Sequence, residues 1–126
     1  MDYEMLRRRV EELPFIPDSQ TAEVAIKSVL GHLASRMEED QARVMTASFP
    51  PSLNYDTLRS HQQTVTTISV VQFIEDIREQ FGFSTGDTHN LIRTIMHSAK
   101  GDFSPDTLQE WEKHLPEDWA EMVEEA

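Results

Sequence analysis

Five histidines are the first residues in this chain with types suited to metal ligation or proton transfer. The adjacent carboxylates Glu38-Glu39-Asp40, Glu75-Asp76 and Glu117-Asp118 are the second. Their spacing does not assemble a site. His89 and His97 are eight residues apart, which turns one about 80° from the other on a helix. The chain has no His-Glu-x-x-His, no Glu-x-x-His and no calcium-loop pattern. Neighbouring carboxylates on a helix point in different directions, which reads as solvated charge rather than an acid–base pair. No glycine-rich phosphate loop, nucleophile elbow or Ser/His/Asp pattern is present. The histidines are therefore expected on the surface or at helix ends, with His114 capping a helix C-terminus. No catalytic residue, metal ligand or cofactor is implied.

The whole composition narrows the classes further. There are 126 residues, 38% apolar and 27% charged, the proportions of one globular domain. Without cysteine, thiolate chemistry, zinc–sulfur sites and disulfides are excluded, and a reducing, cytoplasmic setting is expected. No apolar run approaches a membrane span and none near the start resembles a signal peptide. Lys and Arg number 11 against 23 Asp and Glu, a net charge of −12, so phosphate backbones of nucleic acid would be repelled. The one basic cluster, Arg7-Arg8-Arg9, lies among Glu4, Glu11 and Glu12 at helical spacing. It reads as a self-paired helix face, with a partner-binding basic spot as the alternative.

Apolar periodicity supplies the elements. Ala22, Ala25, Ile26, Val29, Leu30, Leu33 and Met37 step by threes and fours, as do Leu91, Ile92, Ile95, Met96 and Ala99. Shifting the first set by 66 residues superposes ten apolar pairs, from Ala25/Leu91 through Met45/Trp111 and Phe49/Leu115 to Leu53/Trp119. Asp18, Ser69, Ser84 and Ser104 are suited to N-caps. The spacing predicts helices near 2–13, 19–36, 39–48, 70–80, 85–99, 105–114 and 117–124, with a shorter one after Pro51. The expected fold is all-α: a helical bundle of two repeats of about 60 residues, three to four helices each, packed as one domain over 1–126. Repeat one covers about 2–60, a linker about 61–68 with the strand-like "TVTTIS", and repeat two about 69–125.

"SFPPSL" and "HLPEDW" fall in the same register. Proline disfavours helix in the preceding residue and is tolerated in the first turn of the next helix. Phe49, Pro50 and Leu53, and likewise Leu115, Pro116 and Trp119, are read as one helix corner in two copies. Trp111 lies in the core behind the second. A recognition loop with Trp119 exposed is the alternative.

On "MDYEMLRRRV", "AEVAIKSVLGHL", "SFPPSL", "ISVVQFIEDI" and "HLPEDW", in that order along nearly the whole chain, the sequence resembles domain-of-unknown-function family 2267. The resemblance implies a duplicated, all-helical, soluble bacterial protein and carries no activity. The residues and the resemblance lead to a non-catalytic protein-interaction or regulatory module, acting through a protein partner or as a homo-oligomer, with neither nucleic acid nor membrane. The alternatives are a small-molecule or cofactor binder, with Met37, Met45 and Met96 as lining, and a small enzyme of unknown reaction.

Overall fold

A computed structural model describes residues 2–61, 68–101 and 103–126. Its helices are α1 (Tyr3–Glu11), α2 (Ser19–Ser35), α3 (Glu39–Ala47), α4 (Tyr55–His61), α5 (Val70–Phe81), α6 (Thr85–Lys100), α7 (Pro105–Lys113) and α8 (Glu117–Glu125), with a 3-10 turn at Pro51–Leu53. Among the described residues there is no strand, and no helix is long and apolar enough to cross a membrane. The "TVTTIS" reading falls almost wholly outside the described residues, as does the 61–68 linker.

The helices start where side chains can take up their free backbone N–H groups. Asp2, Asp18, Asn54, Ser69, Ser84 and Ser104 each accept a hydrogen bond from an N–H in the first turn that follows. Helix α5 stops at Gly82, whose φ of +71° admits glycine readily, and whose N–H donates back to the Arg78 carbonyl at 2.9 Å. Gly86 lies in the first turn of α6, exposed, with open space where a Cβ would stand. Gly86→Ala should therefore raise stability by about 0.4–1 kcal/mol in urea denaturation.

Helix α2 is the hub. From Ser28 to Ser35 it is buried on every side, and it packs against α1, α3, α4, α5 and α6. Helix α6 meets α1, α2, α5 and α8. Leu6, Val10, Ile26, Leu30, Leu33, Phe73, Ile77, Leu91, Ile95 and Trp119 are at most 1% exposed and fill the space between them. Tyr3 fastens α1 near α2. Its hydroxyl is enclosed beside the Glu23 carboxylate of α2. Burial first, and the Glu23 carboxylate second, push the phenol up to about 12. The neutral phenol is thus favoured in the folded state, so its contribution holds below about pH 10 and is lost as pH rises towards about 12. Tyr3→Phe should remove that alkaline loss, which urea denaturation between pH 8 and pH 11 would show as a flatter decline.

Asp18 titrates at the opposite extreme. The Thr21 backbone N–H on its carboxylate lowers its pKa below the usual value. A depressed carboxylate stabilises the fold above about pH 4 and the benefit disappears as pH falls further. Asp18→Asn keeps a capping oxygen and cannot ionise. Denaturation curves from pH 3 to 7 should show a shallower acid-side decline in that variant.

The two proline corners have nearly the same entry. Pro50 sits at φ −59°, ψ 157° and Pro116 at φ −56°, ψ 153°. Both prolines stand just before the new helical turn, at the cap position rather than within its first turn. Phe49 (7% exposed), Leu53 (0%), Leu115 (8%), Trp119 (0%) and Trp111 (3%) are all buried, which removes an exposed Trp119. Beyond the corner the copies diverge. With Pro51 next, the Leu53 N–H closes a short bond to the Pro50 carbonyl (2.9 Å), and extended Asn54 stops the turn and caps α4. That produces a separate α4 whose Leu58 is fully buried. In the second copy the Ala120 N–H reaches the Pro116 carbonyl at 2.9 Å and α8 runs on unbroken, with Glu117 and Asp118 suited to its N-terminal dipole.

Candidate functional site

Helix α8 owes its position to groups at both ends. At its start, Asp118 accepts the Val70 N–H at 2.8 Å and the neighbouring Trp119 indole donates to the Ile68 carbonyl at 3.1 Å. Asp118 is therefore not the purely solvated charge anticipated: it satisfies a free N–H at the start of α5. At its end, Lys100 donates to the Val123 and Glu124 carbonyls at 3.2 and 2.8 Å, and His97 Nδ1 donates to the Ala126 oxygen at 3.1 Å. Clamped in this way, α8 lies alongside α5 and α6 and leaves a groove of about 350 Å³ between the three.

The groove floor is apolar: Val70 and Ile74 from α5, Ile92 and Met96 from α6, and Met122 from α8. Val71, 78% exposed, stands at its lip. The two walls differ in charge. Asp118, Glu121 and Glu125 project along α8, while His89 and Arg93 project from α6 at i,i+4. Arg93 makes no ion pair among the described residues, and neither do Glu121 and Glu125. These rim charges remain open to a visiting group. The volume is at the low end of the roughly 300–1,000 Å³ usual for ligand sites, and the groove is open along its length.

No group of three or more His, Cys, Asp or Glu side chains with metal-holding geometry occurs among the described residues. Of the methionines expected to line a pocket, Met96 reaches the groove, whereas Met37 and Met45 are in the core. The histidine expectation needs one correction. His32 is only 8% exposed: its Nδ1 donates to the Ser28 carbonyl at 2.7 Å and its ring lies 5.2 Å from that of Phe73. It occupies α2 where the helix is buried all round, so no surface was open to it. His114 does sit at the C-cap of α7, 3.3 Å from Glu110; the His61 side chain lies outside the described residues.

Sequence reasoning missed Val71, Met122, Arg93 and the capping role of Asp118. Val71 had a signal: it is an apolar residue off the Val70, Phe73, Ile74, Ile77 stripe of α5. The same holds for Met5 and Val44, 53% and 59% exposed, each beside a smaller surface hollow.

Fold and site together define an all-α protein with an apolar-floored groove on one flank. Residues 3–122 match the family described as uncharacterized conserved protein, DUF2267, and the chain belongs to that family. Neither the curated proteins nor the solved structures gave a match.

Proposed function

We propose that the protein is a non-catalytic interaction module whose α5–α6–α8 groove receives an amphipathic helix from a partner protein. The observation that carries this is the combination of an apolar floor, an exposed Val71 at the lip and unpaired charges along both walls. An apolar helix stripe with anchors at i, i+3, i+4 and i+7 matches such a floor. The three α8 carboxylates that line the groove, Asp118, Glu121 and Glu125, in a chain of net charge −12, favour a helix carrying Lys or Arg along the flank that faces α8. We infer in addition that the chain is one domain built by duplication. The coincident corner geometry and the nine-residue α3 and α7, which begin 66 positions apart, support that reading.

The test uses two designed amphipathic peptides of about 14 residues, or four turns. Both have the same Leu stripe, one with a Lys flank and one with a Glu flank. Fluorescence anisotropy should give about tenfold or tighter binding for the Lys-flanked peptide, weakening with salt. Val71→Glu, at an exposed position, should lose that binding with the fold intact. Equal binding of both peptides, or no effect of Val71→Glu, would contradict the proposal. A concentration-dependent dimer by light scattering that Val71→Glu dissolves would instead assign the groove to a second copy of the chain.

A further inference from the structure

A second cluster lies on the other side of Arg93 and is not explained by a groove for a basic helix. Most of the arginines near it in sequence or type are already engaged. Arg7 holds Glu4 and Glu11, each at 2.6 Å, as well as the Ser19 hydroxyl; Arg78 holds Glu75; Arg43 meets Glu39 and lies 4.1 Å from the centre of the Tyr55 ring. Arg9 and Arg93, like the exposed Arg8, have no carboxylate within ion-pairing distance among the described residues. The packing of α1 on α6 brings both to one surface hollow of about 260 Å³. Thr94, His97, Ser98 and Ala126 complete its lining; no Asp or Glu is among them, and the Ala126 oxygen is held by His97 Nδ1 at 3.1 Å. Two uncompensated guanidiniums converging in a chain of 23 acidic and 11 basic residues need a reason.

Their surroundings narrow the ligand. Arg9 Nη1 donates to the Ser98 hydroxyl oxygen at 3.4 Å, which holds the guanidinium towards α6 and leaves the hydroxyl proton available. Thr94 has given its proton to the Asn90 carbonyl at 2.8 Å and is not a donor. His97 donates through Nδ1 to the Ala126 oxygen, so its Nε2 accepts in the neutral ring and donates only when the ring is charged. One carboxylate is satisfied by one bidentate guanidinium. Two guanidiniums with a hydroxyl offer donors from several directions, and His97 adds one when its ring is charged, which suits a tetrahedral group with three oxygens and nearly two negative charges. The 66-residue register explains why space exists here. His32, the counterpart of Ser98, fills the α2–α5 seam against Phe73, whereas the smaller Ser98 leaves the α1–α6 seam open. Among the described residues no Asp or Glu lines the hollow. Asp2 is engaged by the Glu4 and Met5 N–H groups, and Glu125 lines the groove on the far side of Arg93.

We propose that the hollow between α1 and α6 binds a phosphoryl oxyanion, gripped by Arg9 and Arg93 and completed by Ser98 and His97. Calorimetric titration at constant ionic strength tests it with inorganic phosphate, pyrophosphate, a short phosphoserine peptide and its unphosphorylated form, and acetate. Phosphoryl probes should bind and acetate should not. Arg9→Gln and Arg93→Gln should each weaken binding about tenfold or more, and the pair should abolish it. Both side chains are exposed, so an unchanged melting temperature and circular dichroism spectrum should accompany the loss. Binding of phosphate or pyrophosphate assigns a free phosphorylated ligand; binding of the phosphoserine peptide alone assigns a phosphoryl group carried by a protein. No heat with any phosphoryl probe, equal binding of acetate, or full affinity in the double variant would overturn the proposal.

Discussion

Trp119→Ala is expected to lower the unfolding free energy by about 3–5 kcal/mol, among the largest single effects in this chain. The residue is 0% exposed, its ring lies 4.8 Å from that of Phe73, and its indole N–H serves the Ile68 carbonyl at 3.1 Å. Truncation opens a cavity at the corner and leaves that carbonyl without its donor, so transfer, cavity and hydrogen-bond losses act together. For a chain of this length the melting temperature should drop by about 10–25 °C. Trp119→Phe separates the contributions, because it keeps most of the volume and loses the hydrogen bond. Thermal and urea denaturation measure both. A melting temperature within a few degrees of the parent in Trp119→Ala would mean that the corner does not carry this load.

Phe73→Ala is expected to cost about 3–5 kcal/mol as well, for a related reason. Phe73 is 0% exposed and stands between the His32 ring at 5.2 Å and the Trp119 ring at 4.8 Å. It joins the buried stretch of α2 to α5 and α8, so its loss loosens three helices at once. Because the two aromatic residues touch, the double variant should be less damaged than the sum of the singles. A coupling of about 0.5–1.5 kcal/mol is the usual range for aromatic pairs. Additive losses in a denaturant-based double-mutant cycle would show that the rings stabilise the fold independently. Trp111 provides the contrast. It is 3% exposed and packs on Phe103 at 4.7 Å, but its indole N–H has no hydrogen-bond partner among the described residues. Trp111→Phe should therefore cost less than Trp119→Phe in the same measurements.

The helices and their caps were legible because the signals that specify them are local. Asp18, Ser69, Ser84 and Ser104 begin helices by the same side-chain acceptance of a nearby N–H that makes them recognisable in a sequence. The threes-and-fours of α2 and α6 likewise name residues that are nearly all buried. Helix α4 was less legible. It depends on Asn54, which can be told from an ordinary loop residue only once Leu53 is known to turn back onto Pro50. His32 was misjudged because a helix buried on every side has no polar face to display, and periodicity cannot say where the neighbours stop.

The groove was hardly legible at all, and the reason is physical. Its walls come from three helices that meet only after folding, and its depth depends on how α8 is clamped. That clamping uses Asp118 with Val70 and Lys100 with Val123 and Glu124, pairings 48, 23 and 24 residues apart. Charge spacing along one helix cannot reveal such contacts. The Arg9–Ser98 contact, 89 residues apart, is the same kind of case. The sequence showed three arginines in a row. Only the fold shows that Arg7 is neutralised by Glu4 and Glu11 while Arg9 is not.

The interaction role is tested most directly by titrating the isotopically labelled protein with the Lys-flanked helix and following its backbone and methyl resonances. Shifts are expected to concentrate on Val70, Val71, Ile74, Ile92, Met96 and Met122, together with Glu121 and Glu125 on the facing wall. Shifts scattered over other faces, or none at saturating peptide, would contradict it.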